Sequence, residues 1–390
     1  MNTTPDPAGL ALPPLSLYVH LPWCVRKCPY CDFNSHELKQ DLPAERYVEA
    51  LLRDLEQELP LVWGRSVQTV FIGGGTPSLF PAEQIERMLS GFRALIAIAP
   101  GAEITLEANP GTIEHDSFSA YGDAGVNRVS LGVQTFDDGC LQAIGRIHDR
   151  RQALGAIESL RESTIRNFNI DLMFGLPGQT TEGALDDVRQ ALEAGSSHLS
   201  HYQLTLEPNT AFHARPPVLP DPDRAWEMQE ECARELSQAG FCNYEVSAWA
   251  LPGSECRHNL NYWAFGDYIG IGAGAHGKIT LPADSAVRRR MRKRHPNDWL
   301  AASAEGKTIA LDSAVAANDL AFEFFLNHLR LRNGVPKQRF EQRTGLPWDA
   351  IKSRVEQAVA GGLLEENAER VAPTSLGWRF LNDLQALFLP

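Results

Sequence analysis

Six short apolar runs separated by longer amphipathic stretches set the strongest limit on the fold of this chain. The runs are Leu17–Leu21, Thr69–Ile72, Ile104–Glu107, Arg128–Val133, Asn169–Phe174 and His198–Thr205. Between them lie Pro43–Leu59, Ala82–Ile96, Ile113–Ala124, Leu141–Arg161 and Glu182–Ala194, each with helical spacing. Short apolar runs that alternate with helical stretches are the pattern of βα units, which build parallel sheets. Six such units predict an α/β fold, a partial and open (β/α)6 barrel. Parallel barrels gather their chemistry at the C-terminal ends of the strands, and the chemically interesting residues of this chain fall there.

Just beyond the first run comes Cys24-Val-Arg-Lys-Cys28-Pro-Tyr-Cys31. Positions i, i+4 and i+7 would also line one face of a helix. Pro29 argues against that, because it has no N–H to donate and pushes Cys28 away from helical dihedrals. The three thiols therefore sit on a loop and converge on one point. A structural zinc would need a fourth ligand from His20, His36 or a distant cysteine. An iron-sulfur cluster held by three thiolates keeps one iron open to another ligand. The residues favour the cluster, with zinc as the alternative.

Gly73-Gly74-Gly75-Thr76-Pro77 follows the second run. Glycines let a ligand approach the backbone closely, although a tight strand-to-helix turn would use them equally well. The spacing is not that of a dinucleotide fingerprint. Glu107 and Asp171 are acids among apolar strand residues, and a buried acid needs a partner. A ribose or an amino group of a ligand would serve; so would an arginine such as Arg146 or Arg128.

CxxxCxxC after a first strand resembles the radical SAM superfamily. The wider wording, Tyr18-Val-His20-Leu-Pro22-Trp-Cys24 and Cys28-Pro-Tyr-Cys31-Asp-Phe-Asn-Ser-His36, is similar to one subgroup of it. That subgroup holds the oxygen-independent coproporphyrinogen III dehydrogenases and their haem-chaperone paralogues. The resemblance implies a 4Fe-4S cluster on Cys24, Cys28 and Cys31, with S-adenosylmethionine at the open iron, where reduction yields a 5′-deoxyadenosyl radical. It also implies that Gly74, Gly75 and Thr76 bind the methionine end of that cofactor. Tyr18, Glu107, Gln134, Arg146 and Asp171 match the family's cofactor-contacting positions in type and order. Thr205 stands where the dehydrogenases resemble an alanine, and is not assigned.

Two features separate the members of the subgroup. The dehydrogenases resemble CxxxCxxCxC, whereas this chain has Cys31-Asp32-Phe33, and a phenyl ring cannot supply the fourth thiol. The second feature is His258-Asn259-Leu-Asn-Tyr262-Trp263, the HNxxYW pattern of the haem chaperones. An imidazole can ligate haem iron and flat aromatic rings can pack on a porphyrin. The resemblance makes His258 the leading haem contact and His276 a second. It implies a haem chaperone that delivers haem to respiratory haem proteins; the alternative is a dehydrogenase that decarboxylates coproporphyrinogen propionates.

The rest of the chain fits this outline. We read an N-terminal extension over 1–16, the barrel over 17–215, a haem-motif and connecting region over 216–310, and a C-terminal domain over 311–390. In that last part, helices at Ala317–Leu331, Lys337–Thr344 and Trp348–Ala360 precede a hairpin at 361–377 and a final helix at Trp378–Leu387, an order that resembles a winged helix. A net charge of −13 argues against a general nucleic-acid binder. Arg288-Arg-Arg-Met-Arg-Lys-Arg-His295 is a local basic run, read as a solvated loop, with contact to propionates, lipid or a partner as the alternative. With 43% hydrophobic residues the 390-residue chain can bury one large core and a smaller one. The N-terminus lacks a signal-peptide pattern, and no apolar stretch approaches the ~20 residues that cross a bilayer. The expected location is cytoplasmic, with peripheral membrane contact. Cys140, Cys232, Cys242 and Cys256 are expected to be buried or inert.

Overall fold

The computed structural model describes residues 9 to 112 and 116 to 390. Six strands, Leu15–Leu21, Val67–Gly74, Ile98–Ala108, Arg128–Gln134, Asn167–Phe174 and His198–Gln203, lie side by side in sequence order. Each pairs in parallel with the next. All six anticipated runs form the partial barrel, with ends moved by a few residues. Side chains alternate across a strand. Leu17, Val19, Val70, Ile72, Leu106, Val129 and Ile170 face the helices and are fully buried, while Tyr18, Phe71, Glu107, Ser130 and Asp171 point into the lumen.

The sheet does not end with the barrel. Ala248–Ala250 and Cys242–Glu245 add antiparallel strands beyond His198–Gln203. At the other edge Asp267–Ile271 runs parallel to Leu15–Leu21, and His276–Leu281, Ala286–Arg292 and Ile309–Ala314 continue it antiparallel. The stretch 216–310 thus extends both edges of one 12-stranded sheet. Helix Arg257–Trp263 packs across the N-terminal end of the lumen. Its first backbone N–H groups, those of Arg257 and His258, donate to the Glu103 carboxylate at 3.0 Å each. An acid at that position satisfies donors that a helix start leaves open.

Three expectations need correction. The helix expected over Leu141–Arg161 is two helices, Asp138–Ala143 and Arg150–Glu162. Gly145 breaks it with a φ of +74°, and an added Cβ there would sit 2.7 Å from Pro29 Cδ. Asp149 then starts the second helix with a reciprocal cap to Gln152. The helix expected from Ile113 begins at Phe118, capped by Ser117; positions 113 to 115 lie outside the described residues. The basic run is not a solvated loop. Residues 286–292 form a strand in which Arg292 is fully buried between Asp54 and Glu58, Arg290 pairs with Glu58, and Arg289 with Glu323. A run of like charges read along the sequence conceals carboxylates on and just beyond helix Ala44–Glu56, more than two hundred residues earlier.

Residues from Ala317 onward build a second core around Phe324, Phe325, Phe340 and Phe388. Helices Ala317–His328, Lys337–Thr344 and Lys352–Ala360 pack with a small sheet of Val335–Pro336, Arg370–Pro373 and Leu364–Glu366, as in a winged helix. The final helix is interrupted at Phe380 into Ser375–Arg379 and Leu381–Ala386. No helix among the described residues is long and apolar enough to cross a membrane.

Candidate functional site

A cavity of about 260 Å³ opens at the C-terminal ends of the barrel strands. Cys24, Cys28, Cys31, Gly74, Gly75, Thr76, Glu107, Gln134, Arg146 and Asp171 all line it. Its rim begins with the cysteine loop. Cys31 N–H donates to Cys28 O at 3.2 Å, which closes a turn through Pro29 and sets the two thiols on one side. The loop's ends are held by a short parallel pairing of Trp23–Cys24 with His36–Glu37. All three thiols are half-buried, and burial raises those of Cys24 and Cys31 above the ordinary thiol range.

The glycine segment docks directly beneath. Gly75 N–H donates to Leu21 O and Thr76 N–H to Trp23 O, both at 2.8 Å. A Cβ on Gly75 would lie 2.4 Å from Trp23 O, so only glycine allows the two backbones to meet here.

Deeper in the lumen are two half-buried carboxylates with no ion pair to any described residue. Glu107 accepts the Gly74 N–H at 3.0 Å. Asp171 accepts from Ser130 Oγ at 3.1 Å and Asn169 Nδ2 at 2.7 Å. The arginines weighed as their partners are occupied or distant. Arg146 donates to Asn109 Oδ1 at 2.5 Å and Gly132 O at 2.6 Å, and Arg128 forms no ion pair with either acid. Burial first, and then the Asp171 charge, raises Glu107 to about 7; burial likewise raises Asp171. Two acids that face a cavity without a cation of their own fit a ligand that brings an amino group, a positive charge or sugar hydroxyls. The donor set therefore suits S-adenosylmethionine, which carries all three, beside a thiolate-held cluster.

Gln134 completes one wall. It has a φ of +72° where the strand register shifts, and its Oε1 accepts the Tyr202 hydroxyl at 2.7 Å. A non-glycine residue held there is uncommon and is often tied to function. Tyr18, by contrast, is not part of the lining. Its hydroxyl meets His20 Nδ1 at 2.9 Å and its ring stacks on Phe71, so it supports the cavity from below. The unassigned Thr205 does line the cavity, as do Asn109, Ser130 and Tyr202. These last three give no sequence signal of their own, since an Asn, a Ser and a Tyr in or next to strands usually serve packing.

His258 lies elsewhere. It is 7% exposed at the closed end of the lumen, where Nδ1 meets Thr69 Oγ1 at 2.8 Å and the ring packs on Phe71. Burial, with Arg128 nearby, lowers it to about 3, so the ring is neutral. His276 is exposed, at the start of strand His276–Leu281. Of the remaining cysteines Cys140, Cys232 and Cys256 are buried, whereas Cys242 is exposed on an edge strand.

Residues 18–191 match the model of the Radical SAM superfamily, and residues 315–380 that of the HemN C-terminal domain. In the solved structures, the radical SAM enzyme coproporphyrinogen III oxidase (HemN) from Escherichia coli superposes with a TM-score of 0.82 at 24% identity, covering 97% of this chain and 90% of that one. That likeness shows the fold. A barrel of six parallel strands with a three-cysteine loop over its mouth defines a radical SAM protein. Among curated proteins the chain is 50% identical to "Heme chaperone HemW" of Escherichia coli (strain K12), over 97% of this chain and 99% of that one. It is 48% identical to the Haemophilus influenzae protein of the same name, over 97% and 98%. The chain belongs to the HemW family.

Proposed function

We propose that this chain is a haem chaperone that binds haem, holds a 4Fe-4S cluster and S-adenosylmethionine, and passes haem to respiratory haem proteins. The observation that carries the reading is the near-full-length likeness to proteins named as haem chaperones. Phe33, 58% exposed on the cysteine loop, supports it: where the resembled dehydrogenases have a thiol, this chain presents an apolar ring.

In this reading Cys24, Cys28 and Cys31 hold the cluster. Gly74, Gly75 and Thr76 receive the methionine end of S-adenosylmethionine, and Glu107 and Asp171 receive its amino group and ribose. When bound, the cluster supplies the electron that can cleave the sulfonium. The chain's own residues orient the cofactor: Glu107 offers a half-buried carboxylate whose proton leaves when a cation arrives, and Arg146 keeps Asn109 and the Gly132 carbonyl in fixed positions. His258, as the HNxxYW histidine, remains the resemblance's haem contact. It is enclosed in this conformation, so haem reaches it only if helix Arg257–Trp263 moves.

The test is an anaerobic incubation of reconstituted protein with reductant, S-adenosylmethionine and coproporphyrinogen III, beside a haem titration. Stoichiometric haem binding without repeated decarboxylation supports the chaperone. Multiple turnovers to protoporphyrinogen would make it a dehydrogenase instead.

A further inference from the structure

Buried ion pairs account for Arg290 and Arg292 of the basic run, but not for its end. Lys293, Arg294 and His295 emerge from the strand beside the cysteine loop, and neither Lys293 nor Arg294 forms an ion pair among the described residues. Asn34, next to Phe33, clasps this segment: its Nδ2 donates to Ala273 O and Arg294 O, both at 2.9 Å. Gly274 has a φ of +79°, and an added Cβ there would come 2.1 Å from Asn34 Nδ2, so the clasp requires glycine.

Three imidazoles from three separate segments gather around that clasp. His36 and His295 meet edge to face with ring centroids 5.3 Å apart. Each is engaged: His36 Nε2 lies 3.4 Å from Asn34 Oδ1, and His295 Nδ1 accepts the Asn297 N–H at the start of the next helix. His276 differs. It is exposed, and its ring has no hydrogen-bond partner among the described residues. Partial desolvation lowers its pKa from the ordinary imidazole value and the cationic Arg289 and Arg294 lower it further, so the ring is neutral, with a free lone pair.

Resting on the haem-chaperone reading, we propose that haem docks over the Asn34 clasp at the rim of the cysteine loop, with His276 as axial ligand, Phe33 against the porphyrin edge and Arg294 facing the propionates. The chemistry is complementary in three respects. A free neutral imidazole suits ferric or ferrous iron. An exposed phenyl suits an apolar macrocycle. Unpaired cations suit a dianion, in a chain whose overall charge of −13 otherwise repels one. This position places the cargo beside the cluster loop and at the rim of the S-adenosylmethionine cavity, which Phe33 also lines.

The test is a hemin titration of the full-length, cluster-reconstituted protein, read by the Soret band and by low-temperature electron paramagnetic resonance. His276→Ala should lower hemin affinity at least tenfold and remove the imidazole-ligand signature, and added imidazole should restore that signature. Arg294→Glu should weaken hemin binding while leaving the ligand signature in place. Iron content of both variants should equal that of the unaltered chain, because neither residue holds the cluster or packs in the core. If His276→Ala keeps the affinity and the signature while His258→Ala loses them, the site proposed here is wrong and the haem reading stands. If the unaltered chain binds no hemin, the haem reading itself fails. Arg294-dependent sedimentation with anionic vesicles, together with hemin binding indifferent to Arg294→Glu, would assign the cations to a lipid surface and overturn the propionate contact.

Discussion

Arg146 Nη1 stands 3.7 Å from the Cys28 sulfur, 118 residues earlier in the chain. The guanidinium joins the cysteine loop to the floor of the cavity, since its other terminal nitrogen holds Asn109 and Gly132 O. A fork of this shape makes contacts that an ammonium cannot reproduce.

Arg146→Lys should therefore lose the hydrogen bond to Asn109 Oδ1 or the one to the Gly132 carbonyl. Charged hydrogen bonds of this kind are worth roughly 1.5–3 kcal/mol, so S-adenosylmethionine affinity should fall about tenfold or more, with the cluster's iron retained. Equilibrium binding on reconstituted protein measures this, and an unchanged affinity would remove Arg146 from the site.

Glu107 gives a pH signature. Its folded value near 7 lies above the ordinary carboxyl value, so between the two the native chain holds a proton that the unfolded chain has lost. The stability it contributes is complete below about pH 4 and declines as pH rises through 7. Without cofactor, Glu107→Gln should be more stable than the unaltered chain at pH 8, by roughly 3 kcal/mol, and equal to it near pH 4. The same variant should bind S-adenosylmethionine poorly. Urea denaturation at the two pH values decides; a constant difference would mean that Glu107 does not titrate there.

Cys28→Ser should strip the visible absorbance of the reconstituted cluster and most of its iron. Cys232 is fully buried in the core, and Cys232→Ser should cost stability but no iron. An equal iron count in both variants would refute the assignment of the loop thiols.

Asp54 joins helix Ala44–Glu56 to the far edge of the sheet. Arg292, Thr308 and the Gly272 N–H all converge on it. Asp54→Ala leaves the fully buried Arg292 short of a partner, and breaking such a pair costs roughly 3–5 kcal/mol. Thermal or urea unfolding should show a loss of this size; a change below about 1 kcal/mol would mean that Glu58 alone neutralises Arg292.

The barrel and most of its lining are legible along the sequence because both depend on local signals. Strand alternation, Pro29 within the cysteine loop and the glycine segment each act over a few residues. What escapes is whatever two distant segments decide together. The break at Gly145 comes from contact with Pro29, and it releases Arg146 from a helix so that the side chain reaches the site. The basic strand reads as exposed because Asp54 and Glu58 are invisible from positions 290 and 292. His258 carries a motif, but only the fold reveals that Thr69 and Phe71 enclose it.

The pairing of Leu15–Leu21 with Asp267–Ile271 has a consequence for how the protein is made. Synthesis runs from the N-terminus, so the cysteine loop leaves the ribosome long before the strand that flanks it and before the Ala273 and Arg294 carbonyls that latch Asn34. Until about three-quarters of the chain has emerged, the three thiols hang from an unfinished edge. Whatever loads iron and sulfide onto them meets either an open nascent loop or a latched, completed one, and only the latter presents the thiols in the arrangement described above.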